Sequence, residues 1–208
     1  MVRERGPSAT RWAGVSLADR RSERRSLLVA AAFALFGTGG EAAVSVRAVC
    51  REARLHARYF YENFADTGEL LGAVYDKVAA ELAERLLAEL NEAGDELSAR
   101  LRAGVHGVLE FSSADPRRGR VLFTEGRDHP VLTARRRDTQ SALMDAVLQQ
   151  NAQSRPDTDP CQAMVSAAMF TGAMVELAHQ WLSGALGDDL DAVVRHAASL
   201  VRHGDPRC

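Results

Sequence analysis

The stretch SVRAVCREARLHARYFYENF, residues 45–64, decides the fold of this chain. Ser45 suits the N-cap of a short amphipathic helix, and a second helix is predicted to begin near His56. Phe60 and Phe64 lie one turn apart in that second helix, so both should point inward. Two short helices joined by a tight turn, the second bearing exposed aromatic and basic side chains, are typical of a helix-turn-helix.

The residues around this stretch extend the pattern on both sides. They comprise RRSLLVAAAFALF at 24–36, glycines at 37, 39 and 40, the Ser45 cap, Ala53-x-Leu55, the run Phe60, Tyr61 and Phe64, and Asp66-x-x-Glu69-Leu70-Leu71. In this order they resemble the DNA-binding domain of TetR-family repressors, over residues 24–74. The resemblance implies an all-α fold of about nine helices, with an N-terminal three-helix helix-turn-helix domain followed by a C-terminal helical ligand-binding and dimerisation domain.

The resemblance also implies which residues face DNA. They are Ser45, Arg47, His56, Ala57, Arg58, Tyr59, Tyr61, Asn63 and Thr67. Of these, Arg58 can make a bidentate contact to guanine O6 and N7, which discriminates between bases. Tyr59, Tyr61, Ser45 and Thr67 are better suited to phosphates or thymine methyl groups.

Two positions depart from the family pattern. Arg54 stands in the turn where the family has glycine, so a residue with a Cβ must take the bend, which is unfavourable if its φ is positive. Thr67 stands at the head of the next helix where the family has a phosphate-binding lysine. We expect backbone N–H groups at that helix start, aided by Thr67, to replace the missing charge.

Length and composition fit a globular protein of one large or two small domains, with 208 residues and 46% hydrophobic content. No apolar run approaches the roughly 20 residues that span a bilayer, and no signal peptide is visible, so we expect a cytoplasmic protein without a membrane partner. Residues 1–65 hold 11 arginines against 6 acidic residues, a balance of +5, which leaves −7 for residues 66–208 since the total is −2. A basic N-terminal third on an acidic body is typical of a DNA-binding module.

No motif indicates an enzyme. The sequence lacks a P-loop, G-x-G-x-x-G, G-x-S-x-G, H-E-x-x-H and C-x-x-C, and the three cysteines are widely spaced. We therefore expect no cofactor, no metal and no disulfide framework. The arginines Arg117, Arg118, Arg120 and 135–137 could bind an acidic ligand, although a solvated or salt-bridged face is the more common arrangement.

Hydrophobic periodicity divides the chain into three parts: residues 1–15 as a disordered basic arm, 16–65 as the DNA-binding domain, and 66–208 as the helical body. The predicted helices cover 16–36, a pair within 45–64, 66–90, 95–111, 116–125, 130–153, 161–184 and 188–203. The helix 161–184 is apolar on two faces, which predicts burial of both.

The body is expected to hold the ligand and the dimer contact. A largely apolar small molecule would be lined by His106, Phe111, Phe123, Met144 and Met169, although residues of these types are more often plain core than ligand contacts. The last two helices would pair two subunits as a four-helix bundle through Ala167, Phe170, Met174, Trp181, Val194 and Leu200. They could instead close a monomeric core.

The sequence thus favours a homodimeric repressor that binds a pseudo-palindromic operator in double-stranded DNA and releases it when a small molecule binds. Two alternatives stay open. One is a DNA-binding dimer without a ligand, and the other is a helical ligand-binding or protein-interaction module that no longer binds DNA.

Overall fold

The computed structural model describes residues 17–94, 96–154 and 157–203, and these are helical with no strand. The helices are α1 (Leu17–Gly39), α2 (Val46–Ala53), α3 (Ala57–Tyr61), α4 (Thr67–Glu92), α5 (Leu97–Ala114), α6 (Pro116–Gly119), α7 (Pro130–Ser154), α8 (Pro160–Leu182) and α9 (Leu190–His203). A 3-10 turn (Glu41–Ala43) follows α1, and a π turn (Arg120–Thr124) follows α6. The all-α prediction is confirmed. The predicted basic arm 1–15 and the predicted first residues of two helices, 16 and 95, lie outside the described residues.

Helix α1 runs further than the sequence suggested, because Gly37 does not stop it. The helix reaches Gly39 and ends where Gly40 takes a φ of 69°. Gly37 is buried, and a Cβ at that position would lie 2.5 Å from the Cβ of Arg117. Glycine is needed there for the close approach of α6 to α1, not as a helix terminator.

The first part of the core lies under the helix-turn-helix and reaches into the body. Leu28, Phe36, Val49, Phe60 and Phe64 are at most 2% exposed. The same cluster continues through α4 and includes side chains that follow in the body: Phe111, Val121, Leu122 and Leu132. The apolar core therefore crosses the predicted domain boundary at residue 65 without a break.

The junction between the two halves is formed by α6, its π turn and residues 125 and 126. Arg120 Nη1 donates to the carbonyl of Thr38, at the end of α1, over 2.8 Å. The Arg117 guanidinium lies 5.0 Å from the centre of the Phe33 ring. A Cβ on Gly126 would come within 3.3 Å of Phe36 and 2.5 Å of Leu132. This segment, residues 116–126, is called the α6 junction below.

A second apolar cluster holds the body together. It consists of Val105, Val108 and Leu109 of α5, Met174 and Ala178 of α8, and Val194 of α9, with Phe123 and Leu82 packed against both clusters. Helix α5 is the centre of this part, since it packs on α4, α8 and α9, while α7 packs on α4 and α8.

Helix α8 buries one face only, contrary to the prediction of two. Ala167, Thr171, Met174 and Ala178 are buried, whereas Met169 on the outer side is 71% exposed. Among the described helices α8 alone is long and apolar enough to cross a membrane, with 22% of its apolar window buried. A helix that packs between two subunits has the same composition.

Candidate nucleic-acid interface

The helix-turn-helix keeps its bend without the family glycine. The Ser45 hydroxyl accepts a hydrogen bond from the Ala48 N–H at 3.2 Å, which caps α2 as predicted. Arg54 takes the left-handed conformation, with φ 55° and ψ 39°, and is the one non-glycine residue of the described chain with positive φ. The Leu55 N–H then closes the turn on the Cys50 carbonyl at 2.9 Å. The turn is intact, and Arg54 bears the conformational cost.

Helix α3 presents one face to the core and one to solvent. Phe60 and Phe64 are buried as predicted, while Tyr61 is 63% exposed with its ring packed edge-on against Phe60 at 5.4 Å. Six of the residues expected to face DNA are exposed: Ser45, Arg47, His56, Ala57, Arg58 and Tyr61. Tyr59 and Thr67 are half-buried. The role of these side chains in DNA binding stays a prediction.

Asn63 does not face outward, and its expected place among the DNA-facing residues is wrong. Its side chain is 9% exposed and donates from Nδ2 to the Tyr59 carbonyl at 2.7 Å. An asparagine near the end of a short helix can bond its own backbone, and this local bond competes with an outward orientation. Asn63 therefore stabilises the end of α3.

Arginines of α1 hold the end of α3, a role that the sequence pattern did not predict. Arg21 donates to the Glu62 carbonyl at 2.5 Å, and Arg25 donates to the Asn63 carbonyl at 3.0 Å. The Arg25 guanidinium also lies 4.2 Å from the centre of the Phe64 ring. Cations satisfy the free carbonyl groups and the negative dipole end of a helix C-terminus. The i, i+4 spacing of these arginines on α1 was the available signal.

The start of α4 is already occupied by carboxylates, contrary to the expected phosphate site. The Asp66 side chain accepts from the Glu69 N–H at 2.8 Å, and the Glu69 carboxylate accepts from the Ala65 N–H at 2.7 Å. Two negative charges at this helix start oppose a phosphate. These charges lower the affinity of the α4 N-terminus for a phosphate, and the expected role of Thr67 stays a prediction.

The predicted ligand-lining residues do not share one cavity. Phe111 is 3% exposed in the first core cluster, Phe123 packs between the two clusters, and His106 lies on α5 with Nδ1 3.5 Å from a Glu89 carboxylate oxygen. Met144 is half-buried on α7. Met169 is wrong as a lining residue, since it points to solvent on the outer face of α8. Two shallow surface depressions lie against α1, one lined by Leu27 and Arg54 and the other by Arg21 and Asn63.

The residues predicted for the dimer contact also differ in their exposure to solvent. Ala167, Met174 and Val194 are at most 7% exposed inside one subunit, so they are wrong as contact residues. Phe170 and Trp181 pack against the second core cluster. Phe170 and Trp181 remain partly exposed, and Leu200 is 75% exposed, so these three stay predicted contact residues. The periodicity of α8 could not tell its two apolar faces apart.

The arginine clusters of the body are largely engaged within the chain. Arg117 pairs with Asp115 at 2.8 Å, Arg118 lies 3.7 Å from Glu81, Arg120 pairs with Glu125, and Arg135 lies 3.3 Å from Asp76. Arg136 donates to four backbone carbonyls of the α6 junction, those of residues 121, 122, 125 and 126. These arginines are therefore bound within the chain. This agrees with the second interpretation of the sequence, a solvated or salt-bridged face, and not with a site for an acidic ligand.

Comparison with known proteins agrees with the geometry. Residues 28–74 match the family model described as bacterial regulatory proteins, tetR family. No curated protein matches the chain. The residues matched include α2, α3 and the buried faces of α1 and α4.

Solved structures of similar fold cover both halves of the chain. The fatty acid degradation regulator FadR from Bacillus halodurans superposes with a TM-score of 0.73 at 16% identity, over 88% of this chain and 96% of that one. A putative TetR-family transcriptional regulator from Rhodococcus sp. has a TM-score of 0.67 at 18% identity, over 87% and 97%. FadR from Bacillus subtilis, solved in complex with stearoyl-CoA, has a TM-score of 0.71 at 15% identity, over 84% and 96%. At these identities the likeness establishes the fold. Residues 28–74 are therefore similar to the tetR family of bacterial regulatory proteins, and the chain as a whole has the fold seen in TetR-family transcriptional regulators.

Proposed function

We propose that this chain is a homodimeric transcriptional repressor that binds a pseudo-palindromic operator through α3 and is released by a largely apolar small molecule. The observation that carries the proposal is the exposed face of α3 and α2, with Arg47, Arg58 and Tyr61, mounted on a buried aromatic core. A rigid helix with basic and aromatic side chains is suited to the major groove.

Two copies are needed, since one such module offers little contact surface to a duplex. The outer face of α8 supplies an apolar surface for the second copy: Met164, Val165, Met169 and Val175 are 41–71% exposed, and Leu200 on α9 is 75% exposed. Unlike scattered exposed residues, these repeat at helical spacing on one side of α8. We place the two-fold axis of the dimer beside this face.

Ligand binding in the body can change the position of α3 through two structural connections. Helix α4 begins directly after the helix-turn-helix and continues into the body as one helix of 26 residues. The α6 junction contacts the end of α1 through the bond from Arg120 to the Thr38 carbonyl. A ligand that separates α4 from α5 or α7 would therefore shift the DNA-binding domain, and ligand and DNA would disfavour each other by about 1–3 kcal/mol.

The ligand class is proposed from the side chains of the body and from one relative of similar fold. Leu82, Leu86, Phe123 and Leu177 are half-buried apolar groups around the second cluster. The stearoyl-CoA complex of the Bacillus subtilis FadR makes that compound a reasonable first probe. The expected result is a lowered affinity for DNA when stearoyl-CoA is added; an unchanged affinity would exclude long acyl groups as the inducer.

DNA binding is tested by titrating the duplex upstream of the gene with the wild type and with Arg47→Ala and Tyr61→Ala variants. We expect each variant to weaken binding by about tenfold, since each removes an exposed contact of the helix-turn-helix. Arg102→Ala, which removes the same charge from the far end of α5, is the matched control. Equal affinity of all four proteins would contradict the assignment of α2 and α3.

A ligand-independent DNA-binding dimer is the second candidate. It is favoured because two of the predicted lining residues lie apart: Phe111 is buried in the first core cluster, and Met169 is 71% exposed on α8. The third candidate, a helical module without DNA binding, is less favoured because Arg54 preserves the bend. A cavity that opens in the body when ligand binds would exclude the second candidate.

A further inference from the structure

Two arginines from different helices lie against the ring of Tyr59. The guanidinium carbon of Arg24, on α1, is 4.4 Å from the ring centre, and that of Arg58, on α3, is 4.5 Å away. Arg58 also donates to the Tyr59 hydroxyl at 2.6 Å, and this bond lowers the pKa of the phenol. Because both cations share one ring, they are less than about 9 Å apart, close to a Debye length at physiological ionic strength.

This pair of cations lacks an ion-pairing carboxylate among the described residues. The salt bridges of the described chain involve neither Arg24 nor Arg58, although the nearby Glu62 carboxylate contributes to raising the pKa of Arg58. The Nε of Arg24 is buried and has no acceptor. The ring holds both groups by cation–π attraction and offsets part of their mutual repulsion. An anion bound between them would offset the rest.

We propose that Arg24 and Arg58, held in position by the Tyr59 ring, form a binding site for a backbone phosphate of DNA. In this site Tyr59 is a positioning residue and not itself a DNA contact, and α1 becomes part of the DNA-binding surface. Guanidinium groups suit phosphate because their planar N–H donors match its oxygens. The inference rests on the proposed function, and it changes the role of Arg58 from reading a base to neutralising a phosphate.

The test is a salt titration of binding to two duplexes of equal length, the one upstream of the gene and one of random sequence. We expect Arg24→Ala to weaken binding to both by about tenfold and to reduce the slope of log affinity against log salt by about 1.8, which is about 0.9 for the phosphate contact of each subunit of the dimer. Tyr59→Leu should have the same effect, since it removes the ring. Tyr59→Phe, which keeps the ring, should stay within about threefold of the wild type. Arg102→Ala should leave slope and affinity unchanged.

The double variant separates positioning from direct contact. If Tyr59 acts through Arg24, adding Arg24→Ala to Tyr59→Leu should cause little further loss, because the first change already displaces the guanidinium. Fully additive losses would overturn the positioning role. Circular dichroism of each variant controls for folding, and Arg24→Ala, which removes a half-buried side chain of α1, provides the test if Tyr59→Leu unfolds.

Three further results would overturn the proposal. An unchanged salt slope in Arg24→Ala would show that no phosphate is neutralised there. A loss confined to the upstream duplex in Arg58→Ala would show that Arg58 reads a base. A wild type that binds neither duplex would overturn the proposed function and this site together, whereas the first two results leave the proposed function standing.

Discussion

At the scale of single residues, the helix-turn-helix of this chain depends on a strained arginine. Arg54 has φ 55°, a conformation that costs a residue with a Cβ roughly 1 kcal/mol relative to glycine. We expect Arg54→Gly to raise the free energy of unfolding by up to about 1 kcal/mol, as measured by urea denaturation. Arg51→Gly, three residues earlier inside α2, should lower it by about 1 kcal/mol. A destabilised Arg54→Gly would contradict the reported backbone conformation.

The residue scale also shows what a sequence can and cannot predict. The Ser45 cap and the burial of Phe60 and Phe64 follow from local rules on spacing and hydrogen bonding, and they are confirmed. The orientation of Asn63 does not follow from those rules. The orientation depends on a hydrogen bond to the Tyr59 carbonyl, which the spacing of apolar residues on a short helix does not predict.

At the scale of elements, Arg136 joins α7 to the α6 junction. Its guanidinium donates to four carbonyls, and burial lowers its pKa. We expect Arg136→Met to lower the free energy of unfolding by about 3 kcal/mol, because buried carbonyls lose their donors. Arg136→Lys should recover only part of the lost stability, since one ammonium group cannot reach all four carbonyls. The exposed neighbour variant Arg137→Met should change stability by less than about 0.5 kcal/mol, and an equal loss there would contradict this role.

The start of α6 predicts a pH dependence of stability. Hydrogen bonds from Arg117 hold the pKa of the Asp115 carboxyl below its usual range. A depressed pKa in the folded state stabilises the protein above the unfolded pKa, about 3.9, and this contribution is lost as pH falls through the folded value. Asp115→Asn, which keeps a capping side chain, should be less stable than the wild type at pH 6, with a difference that shrinks below about pH 4. Asp145→Asn is the exposed control, and a pH-independent difference for Asp115→Asn would contradict the ion pair.

Helix α8 shows why a sequence can predict a helix without predicting which of its faces is buried. The sequence predicted a long apolar helix over 161–184, and the helix found covers Pro160–Leu182. Which apolar face enters the subunit's own core depends on where α5 and α9 pack, and that is set by the whole fold. The residues proposed for dimer contact therefore move from Ala167 and Met174 to the outer face with Met169.

At the scale of the whole molecule, the outer face of α8 predicts a dimer. Met169→Glu places a carboxylate at the proposed contact, where desolvation without a partner is costly. We expect sedimentation to show a dimer for the wild type and a monomer for Met169→Glu. Leu87→Glu changes an apolar side chain that is 62% exposed on α4 and should leave the dimer intact. A monomeric wild type, or a dimeric Met169→Glu, would contradict the proposed two-fold axis.

The central claim, that paired copies of α3 enter successive major grooves of one duplex, is tested most directly by a hydroxyl-radical footprint on the duplex upstream of the gene. The prediction is two protected stretches of related, inverted sequence on one side of the DNA, with centres about one helical turn or a multiple apart. A single protected stretch, or protection without two-fold symmetry, would contradict it.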